Sequence, residues 1–351
     1  MRAITVVPGQ PGSAELADVP DPEPGPGDLL VETVRLGVCG TDREIVDGAH
    51  GEPPSGRERL ILGHELLGRV RECPEGSDLT PGDLVAGIVR RPDPVPCACC
   101  ARAEWDMCRN GQYTERGIKG LDGYGAELVT LESDFAVPVA HQLGELGVLT
   151  EPASVVAKAW EQIDRVAARS RAAPRRVLVL GAGTVGLLAA LFGRLRRLEV
   201  HVLDRVTSGP KPAIVEALGA MYHTGGVETA VADVDILLEC TGSPGLVFDA
   251  IRCVAPSGIT CLAGVSSGHR TVRIDAAALN NELVLENNVV FGTVNANRQH
   301  YALAAGALTK ADPRWLERLI TRRVPLDRWR EAYRPAPDDV KTMLQFTAVP
   351  G

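Results

Sequence analysis

The feature that most constrains the fold is a glycine-rich turn, Gly181-Ala-Gly183-Thr-Val-Gly186, between an apolar run and a helix-like run. In such a turn the first glycine permits a tight bend, the second lets the backbone approach a pyrophosphate, and the third lets the helix pack on the strand. Backbone N–H groups at the start of the helix then favour a bound anion. We predict that Arg176–Leu180 and Glu199–Leu203 are parallel strands of a doubly wound α/β nucleotide-binding domain.

An acidic residue lies at the position where such a domain distinguishes NAD from NADP. Asp204 ends the second strand, 23 positions after Gly181, against a usual spacing of about 20. Its carboxylate can accept hydrogen bonds from the adenosine ribose and would repel a 2′-phosphate, so NAD is favoured over NADP. The neighbouring Arg205 could stack on the adenine or hold a 2′-phosphate, so NADP stays open. The expected cofactor-binding residues are Gly181, Gly183, Thr184, Val185, Gly186, Asp204, Arg205, Thr241, Val265 and Val294.

The pattern of elements changes twice along the 351 residues. Residues 1–140 carry short apolar or alternating runs between Gly, Pro and Asp, which predicts a β-rich region. From residue 151, helical and strand-like runs alternate, which predicts a parallel sheet. After about residue 293 the pattern becomes helical again, with Arg314–Ile320 and Leu326–Tyr333 as helices before the strand-like Thr342–Phe346.

Charge and hydropathy exclude several classes of protein. The net charge of −8 argues against a nucleic-acid partner, which would need a basic surface. No apolar run approaches the roughly 20 residues of a membrane-spanning helix, so we expect no membrane partner. Arg2 leads directly into the strand-like Ala3–Val7, which predicts that there is no signal peptide. We therefore expect a soluble, cytoplasmic protein.

The nine cysteines indicate metal binding more than disulfides, since the count is odd and four of them fall within 12 residues. The spacing of Cys97, Cys100 and Cys108 suits a tetrahedral structural zinc ion. A fourth ligand is less clear: Asp93 lies where a first ligand would stand, and Cys99 is the alternative. The remaining interpretation is a lobe that binds no metal and has free cysteines.

A second set of metal-binding side chains is scattered over the first 151 residues. A lone Cys39 would more often be a small buried apolar residue. Together with His64, Glu65 and Glu151, however, it supplies thiolate, imidazole and carboxylate. Such a set suits a catalytic zinc ion that keeps one open position.

Several motifs resemble the zinc-dependent medium-chain dehydrogenase/reductase superfamily, and more closely its glucose 1-dehydrogenase branch. The resemblance runs nearly end to end and is carried by Gly37–Asp42, Cys39–Ile45, Gly63–Glu65, Tyr113–Ile118, Thr150–Trp160, Phe291–Asn297 and Ile320–Asp327, together with the cysteine lobe and the glycine-rich turn. It implies a GroES-like β-rich catalytic domain (residues 1–152 and 293–351) whose structural-zinc lobe spans about 91–110, and a Rossmann domain at residues 153–292. It also implies a cleft between the domains for the zinc and the nicotinamide, and a homodimer or homotetramer.

The resemblance assigns roles to individual residues. It implies that Cys39, His64 and Glu151 ligate the catalytic zinc, with Glu65 an alternate ligand or a carboxylate just outside the ligand set. It further implies that Thr41 hydrogen-bonds the reacting hydroxyl, and that Glu115 and Asn295 contact sugar hydroxyls.

The chain departs from the family pattern at three positions. Asp93 replaces the usual first cysteine of the lobe. Asp204 stands where NADP-using members carry a neutral residue. Glu44 stands where many alcohol dehydrogenases carry a proton-relay histidine, which leaves the route of the proton open.

These observations predict a zinc-dependent oxidoreductase that transfers hydride from C1 of a glucose-like aldose to NAD(P) and yields a lactone. One alternative is the same chemistry on a secondary hydroxyl of a cyclitol, aminosugar or nucleoside sugar in a biosynthetic pathway. An alternative of another class is a non-catalytic NAD-binding relative. Such a relative should have lost Cys39, His64 or Glu151, and all three are present.

Overall fold

The computed structural model describes residues 1–266 and 271–347. The chain divides into two compact units, Met1–Ser154 with Asn295–Gly351 and Val155–Val294. Within the described ranges, no helix is both long enough and apolar enough to span a membrane.

The strands and helices are numbered in chain order. The strands are β1 (Arg2–Val6), β2 (Glu15–Asp18), β3 (Asp28–Val38), β4 (Leu60–Ile61), β5 (Glu65–Glu72), β6 (Leu84–Gly87), β7 (Arg90–Arg91), β8 (Thr114–Arg116), β9 (Gly120–Leu121), β10 (Leu128–Glu132), β11 (Ala136–Val139), β12 (Arg176–Leu180), β13 (Glu199–Leu203), β14 (Met221–His223), β15 (Val234–Glu239), β16 (Val254–Leu262), β17 (Val289–Gly292), β18 (Ile320–Pro325) and β19 (Lys341–Gln345). The helices are α1 (Gly40–Val46), α2 (Thr150–Ala167), α3 (Thr184–Leu195), α4 (Pro210–Ala217), α5 (Val227–Ala230), α6 (Pro244–Ile251), α7 (Ala276–Leu285), α8 (Arg298–Lys310), α9 (Pro313–Leu319) and α10 (Arg330–Tyr333).

The first unit is built around the long strand β3. This strand pairs antiparallel with β5, β10 and β19. Because β19 comes from the end of the chain, the C-terminal segment completes a sheet that the N-terminal strands begin. Apolar side chains such as Leu36, Leu66, Tyr124 and Leu344 are fully buried in one cluster behind this sheet. The ends of β3 and β5 are thereby fixed side by side, and both lead into the candidate metal site.

The second unit contains a parallel sheet with strand order β14-β13-β12-β15-β16-β17. Chain order reverses between β12 and β15, which is the arrangement of doubly wound nucleotide-binding folds. The central strand β12 is a continuous apolar run because neighbouring strands and helices bury both of its faces. The predicted doubly wound sheet is confirmed.

The C-terminal segment differs in detail from the prediction. Leu326–Tyr333 is not one helix, since a 3₁₀ turn at Leu326–Arg328 precedes α10. The helix predicted to end at Ile320 ends at Leu319, and β18 begins at Ile320. Strand pairing with β19 accounts for this change, because Ile320 is in register with Lys341.

Candidate zinc and nucleotide sites

Two neighbouring strand ends bring a thiol and an imidazole together. Cys39 follows β3 and starts α1, where its N–H donates to Asp42 Oδ2 at 2.9 Å. His64 lies between β4 and β5, and its Nε2 is 3.2 Å from Cys39 Sγ. The other oxygen of Asp42 lies 3.1 Å from His64 Nδ1. A histidine held by a carboxylate at Nδ1 presents Nε2 to a metal, here on the side of the thiol.

Glu65 completes a group of three potential ligands. Among the described residues, one ligand atom each of Cys39, His64 and Glu65 lie within 4.8 Å of one another. Thiolate, imidazole and carboxylate are the donors that zinc takes in proteins, so these side chains fit that ion. The approach of Glu65 requires a glycine on β3, because a Cβ on Gly37 would lie 1.9 Å from Glu65 Oε2.

Glu151, in the first turn of α2, faces the same group. Burial and, after it, the negative charge of Glu65 raise the pKa of its carboxyl to about 7. Two buried carboxylates that repel each other are an arrangement that a bound cation would stabilise. Thr41 lies on α1, two residues past Cys39, and is half-buried. The assignment of Glu151 and Thr41 to the reaction stays a prediction.

Sequence reasoning missed two residues that support this group, Asp42 and Lys341. Asp42 is fully buried and orients His64 as described above. Lys341 Nζ donates to Glu65 Oε1 at 2.6 Å and to the carbonyl of Val38 at 3.3 Å. A lysine inside an apolar terminal strand was the available signal, because an ammonium group is rarely buried without a charged partner.

The cysteine lobe brings three sulfur atoms together. Among the described residues, Cys97, Cys100 and Cys108 form a second group within 4.8 Å. Hydrogen bonds from the backbone N–H groups of Cys100 and Arg109 lower the pKa of the Cys97 thiol to about 6. Three sulfur atoms lie close together, and the lowered pKa of Cys97 favours its thiolate form. This arrangement fits a tetrahedral zinc ion.

The predicted fourth ligand of the lobe has other partners in this structure. Asp93 is buried, and its two carboxylate oxygens accept the N–H groups of Val95 at 2.8 Å and Gln112 at 3.3 Å. Cys99 is half-buried beside Cys100. The choice between Asp93 and Cys99 stays open.

The two residues expected to contact sugar contact each other. Asn295 Nδ2 donates to Glu115 Oε1 at 2.7 Å, although 180 positions separate the two residues in the chain. The guanidinium of Arg90 also lies 3.0 Å from that oxygen. The first unit therefore holds an oriented carboxylate and amide, groups that recognise hydroxyls.

In the second unit the glycine-rich turn has the conformation that a dinucleotide site needs. Gly181 has a φ of +97°, which only glycine adopts readily. A Cβ on Gly186 would lie 1.8 Å from the carbonyl oxygen of Gly181, whereas one on Gly183 would meet open space. Thr184 and Val185 form the first turn of α3. The open space at Gly183, in front of a helix N-terminus, fits a pyrophosphate.

Asp204 follows β13 and is bound to the glycine-rich turn. Its Oδ2 accepts the N–H of Ala182 at 2.7 Å and lies 3.1 Å from Lys211 Nζ. Burial alone would raise the pKa of Asp204, but these donors and the N–H of Val206 lower it, so the carboxylate is ionised. Arg205 is exposed. Lys211 is a second cation beside Asp204 that sequence reasoning did not identify.

The other predicted cofactor residues follow the ends of the next strands. Thr241 follows β15, Val265 follows β16 and Val294 follows β17, and all three side chains are exposed. Thr241 is held by Glu239, a fully buried carboxylate that accepts the N–H of Thr241 at 2.6 Å. All of these residues lie at the carboxyl edge of the parallel sheet, where ligands of such folds bind.

Known proteins resemble the chain over its whole length. The family "Alcohol dehydrogenase GroES-like domain" matches residues 25–141, and the family "Glucose dehydrogenase C-terminus" matches residues 144–346. The glucose 1-dehydrogenase of Methanocella arvoryzae is 40% identical over 362 residues, covering 99% of this chain and 100% of that protein. The glucose 1-dehydrogenase of Thermoproteus tenax is 40% identical over 351 residues, covering 98% of this chain and 99% of that protein.

A solved structure shows the same similarity. The glucose dehydrogenase of Haloferax mediterranei, in complex with NADP, Zn and gluconolactone, superimposes with a TM-score of 0.92 at 33% identity, covering 99% of this chain and 100% of that one. The predicted GroES-like and Rossmann folds are confirmed by these matches. The chain therefore belongs to the zinc-dependent medium-chain dehydrogenase/reductase superfamily, in its glucose dehydrogenase branch.

Proposed function

We propose that this protein is a zinc-dependent sugar dehydrogenase that oxidises an aldose at C1 to a lactone and reduces a nicotinamide cofactor. The observation that carries the proposal is the group formed by Cys39, His64 and Glu65, with Asp42 behind the imidazole. The names of the relatives and the lactone in the Haloferax structure support the same reaction, since a lactone is the product of oxidising a cyclic aldose at C1.

The side chains of the first unit have separate roles in the proposed reaction. Cys39, His64 and Glu151 would hold the zinc ion, with Glu65, whose carboxylate lies in the group of ligand atoms, as the alternate ligand. The ion would supply a Lewis acid that lowers the pKa of the substrate hydroxyl. Thr41 accepts a hydrogen bond from that hydroxyl and passes the proton towards solvent. Glu115 and Asn295 bind other hydroxyls and so orient the sugar.

The second unit binds the cofactor. The N-terminus of α3 would hold the pyrophosphate, and Asp204 would accept hydrogen bonds from the adenosine ribose. The nicotinamide supplies the hydride acceptor. NAD is favoured over NADP because the carboxylate of Asp204 accepts ribose hydroxyls and repels a phosphate. The structure of the Haloferax relative contains NADP, and the ratio of kcat/KM for the two cofactors tests the preference of this chain.

A panel of substrates tests the reaction. Purified protein with zinc is given aldoses, cyclitols, aminosugars and nucleosides, and reduction of NAD and NADP is followed by absorbance. We expect glucose or a close aldose to give the highest kcat/KM, with a lactone as product. Turnover confined to cyclitols or nucleosides would move the assignment to another polyol carbon, and turnover of none would reject it.

We further propose that the cysteine lobe holds a second, structural zinc ion. Cys97, Cys100 and Cys108 supply three ligands, and Asp93 is the favoured fourth.

We also propose that the protein is a homodimer or homotetramer. Strand β17 is an edge of the six-stranded sheet, and none of the residues of the preceding helix α7 is buried. Leu285 of this helix is 78% exposed. Exposed apolar side chains beside an open strand edge are a surface that a second copy can cover. Light scattering measures the mass directly. A cytoplasmic location stays a prediction.

A further inference from the structure

The strand pair β7 and β8 places a buried arginine against the carboxylate expected to bind sugar. Arg90 is 5% exposed and is in register with Glu115. Its Nε and Nη2 each lie 3.0 Å from the same carboxylate oxygen, Oε1. The third nitrogen, Nη1, donates to the carbonyl of Asp106 at 3.3 Å. The guanidinium also lies 3.7 Å from the centre of the Tyr113 ring, so it is held from several sides.

A second donor reaches the same oxygen from the far end of the chain. Asn295 Nδ2 donates to Glu115 Oε1 at 2.7 Å. Asn295 has a φ of +62°, a left-handed conformation that asparagine tolerates better than most residues. Its Oδ1 accepts the N–H of Ala296 at 2.8 Å, which fixes the amide so that Nδ2 faces Glu115.

The pattern differs from the usual pairing of arginine with a carboxylate. In a bidentate pair the two guanidinium nitrogens bind the two oxygens, and both oxygens are then occupied. Here Arg90 and Asn295 place all three of these bonds on Oε1. None of them uses Oε2, which has no hydrogen-bond partner among the described residues and can accept a hydrogen bond from a ligand hydroxyl.

We propose that Arg90 is a positioning residue that fixes the Glu115 carboxylate with Oε2 turned to one particular sugar hydroxyl. The inference rests on the proposed function, because it assumes that Glu115 binds the sugar. Lysine could not replace Arg90, since a single ammonium cannot place two donors on Oε1, reach the Asp106 carbonyl and stack on Tyr113 together. Substrates are then selected by the one hydroxyl that Glu115 binds.

The test compares glucose with its set of monodeoxy analogues, in wild type and in Arg90→Lys, Arg90→Met and Glu115→Gln. Wild type should lose about 10- to 100-fold in kcat/KM on the one analogue that lacks the hydroxyl bound by Glu115. Arg90→Met should lose about tenfold or more on glucose but less than about threefold on that analogue. Arg90→Lys keeps the charge and should lose discrimination in the same way, with the KM for NAD and the zinc content unchanged.

The neighbouring arginine supplies a matched control. Arg91 is also buried on β7 and also stacks on an aromatic ring, at 4.0 Å from the centre of Phe135, but its guanidinium binds Glu132. Arg91→Lys should therefore leave the ratio of kcat/KM for glucose and the analogue unchanged. Equal losses on glucose and the analogue in the Arg90 variants, or no loss on glucose, would overturn the inference while leaving the sugar dehydrogenase intact. A wild type that oxidises no aldose would reject both proposals.

Discussion

Lys341 and Glu65 form a buried ion pair in which the Nζ of the lysine lies 2.6 Å from Oε1 of the glutamate. Both side chains are 2% exposed, and 276 positions separate them in the chain. Strand β19 carries the lysine to this place because its Thr342 is in register with Val38, the residue before Cys39. The end of the chain therefore fixes the carboxylate beside the zinc-binding side chains.

Removing the Lys341 side chain should lower the free energy of unfolding. Lys341→Met leaves the charge of Glu65 buried and unpaired, so we expect a loss of about 3–5 kcal/mol in the free energy of unfolding. Lys341→Arg should recover most of it, and adding Glu65→Gln to Lys341→Met should recover part. Urea unfolding of wild type, Lys341→Met, Glu65→Gln and the double variant measures this coupling. If the effects of Lys341→Met and Glu65→Gln simply add, the two residues are not coupled.

The acid branch of the stability curve should depend on Glu132. Burial works to raise the pKa of this carboxyl, but the hydrogen bonds and charge of Arg91 and the charge of Arg116 prevail and lower it to about 2. A lowered pKa in the folded state gives stability that is present above the unfolded value of 4.5 and is lost as the pH falls from there towards about 2.

Glu132→Gln should flatten that decline. Because the side chain is 41% exposed, solvent screening limits the expected effect to about 1 kcal/mol. Thermal or urea unfolding between these pH values measures it. Glu216→Gln, which removes an exposed carboxylate on α4 of the second unit, is the control. Parallel curves for wild type and Glu132→Gln would contradict the prediction.

Metal analysis should find about two zinc ions per chain. Cys39→Ala should keep about one, in the lobe, and Cys108→Ser should keep about one, at the Cys39 group. Asp93→Asn should weaken zinc binding in the lobe, whereas Cys99→Ser should not. Retention of lobe zinc in Asp93→Asn together with its loss in Cys99→Ser would make the cysteine the fourth ligand. A wild type with a single zinc that is lost in Cys39→Ala would leave the lobe without metal.

The choice of cofactor should depend on Asp204. A buried carboxylate facing a 2′-phosphate costs several kcal/mol, but Lys211, 3.1 Å away, offsets part of that cost. We expect a preference for NAD of about 10- to 100-fold in kcat/KM. Asp204→Gly should shift it towards NADP, because Lys211 and Arg205 then act unopposed, and Lys211→Met should strengthen it. A wild-type ratio in favour of NADP would show that Asp204 does not face the ribose.

The sequence predicted the nucleotide-binding half of the fold more precisely than its remaining parts. Arg176–Leu180 and Glu199–Leu203 are strands with the predicted limits. In the first, the apolar run Val177–Leu180 ends at the glycine-rich turn, as expected of a buried parallel strand. Helix α7 was not predicted, and the reason is physical: none of its residues is buried, so it carries no apolar stripe.

The candidate sites could be predicted only in part. Cys39 and His64 were grouped by residue type and family resemblance, and the structure brings them together. Lys341 could be noticed only as a lysine within an apolar strand, and its partner depends on pairing with the distant strand β3. Arg90 carried no such signal, since its role depends on the pairing of β7 with β8. Asp42 could have been noticed as the acidic residue that caps the helix begun by Cys39.

Zinc held at Cys39 and His64 should be required for sugar oxidation. NAD reduction by glucose, measured before and after chelation, tests this requirement. We predict that chelation abolishes turnover, that added zinc restores it, and that NADH binding, followed by fluorescence, persists throughout. Cys39→Ala, which leaves the cysteine lobe intact, should match the chelated enzyme. A chelated protein that keeps most of its turnover would contradict the account.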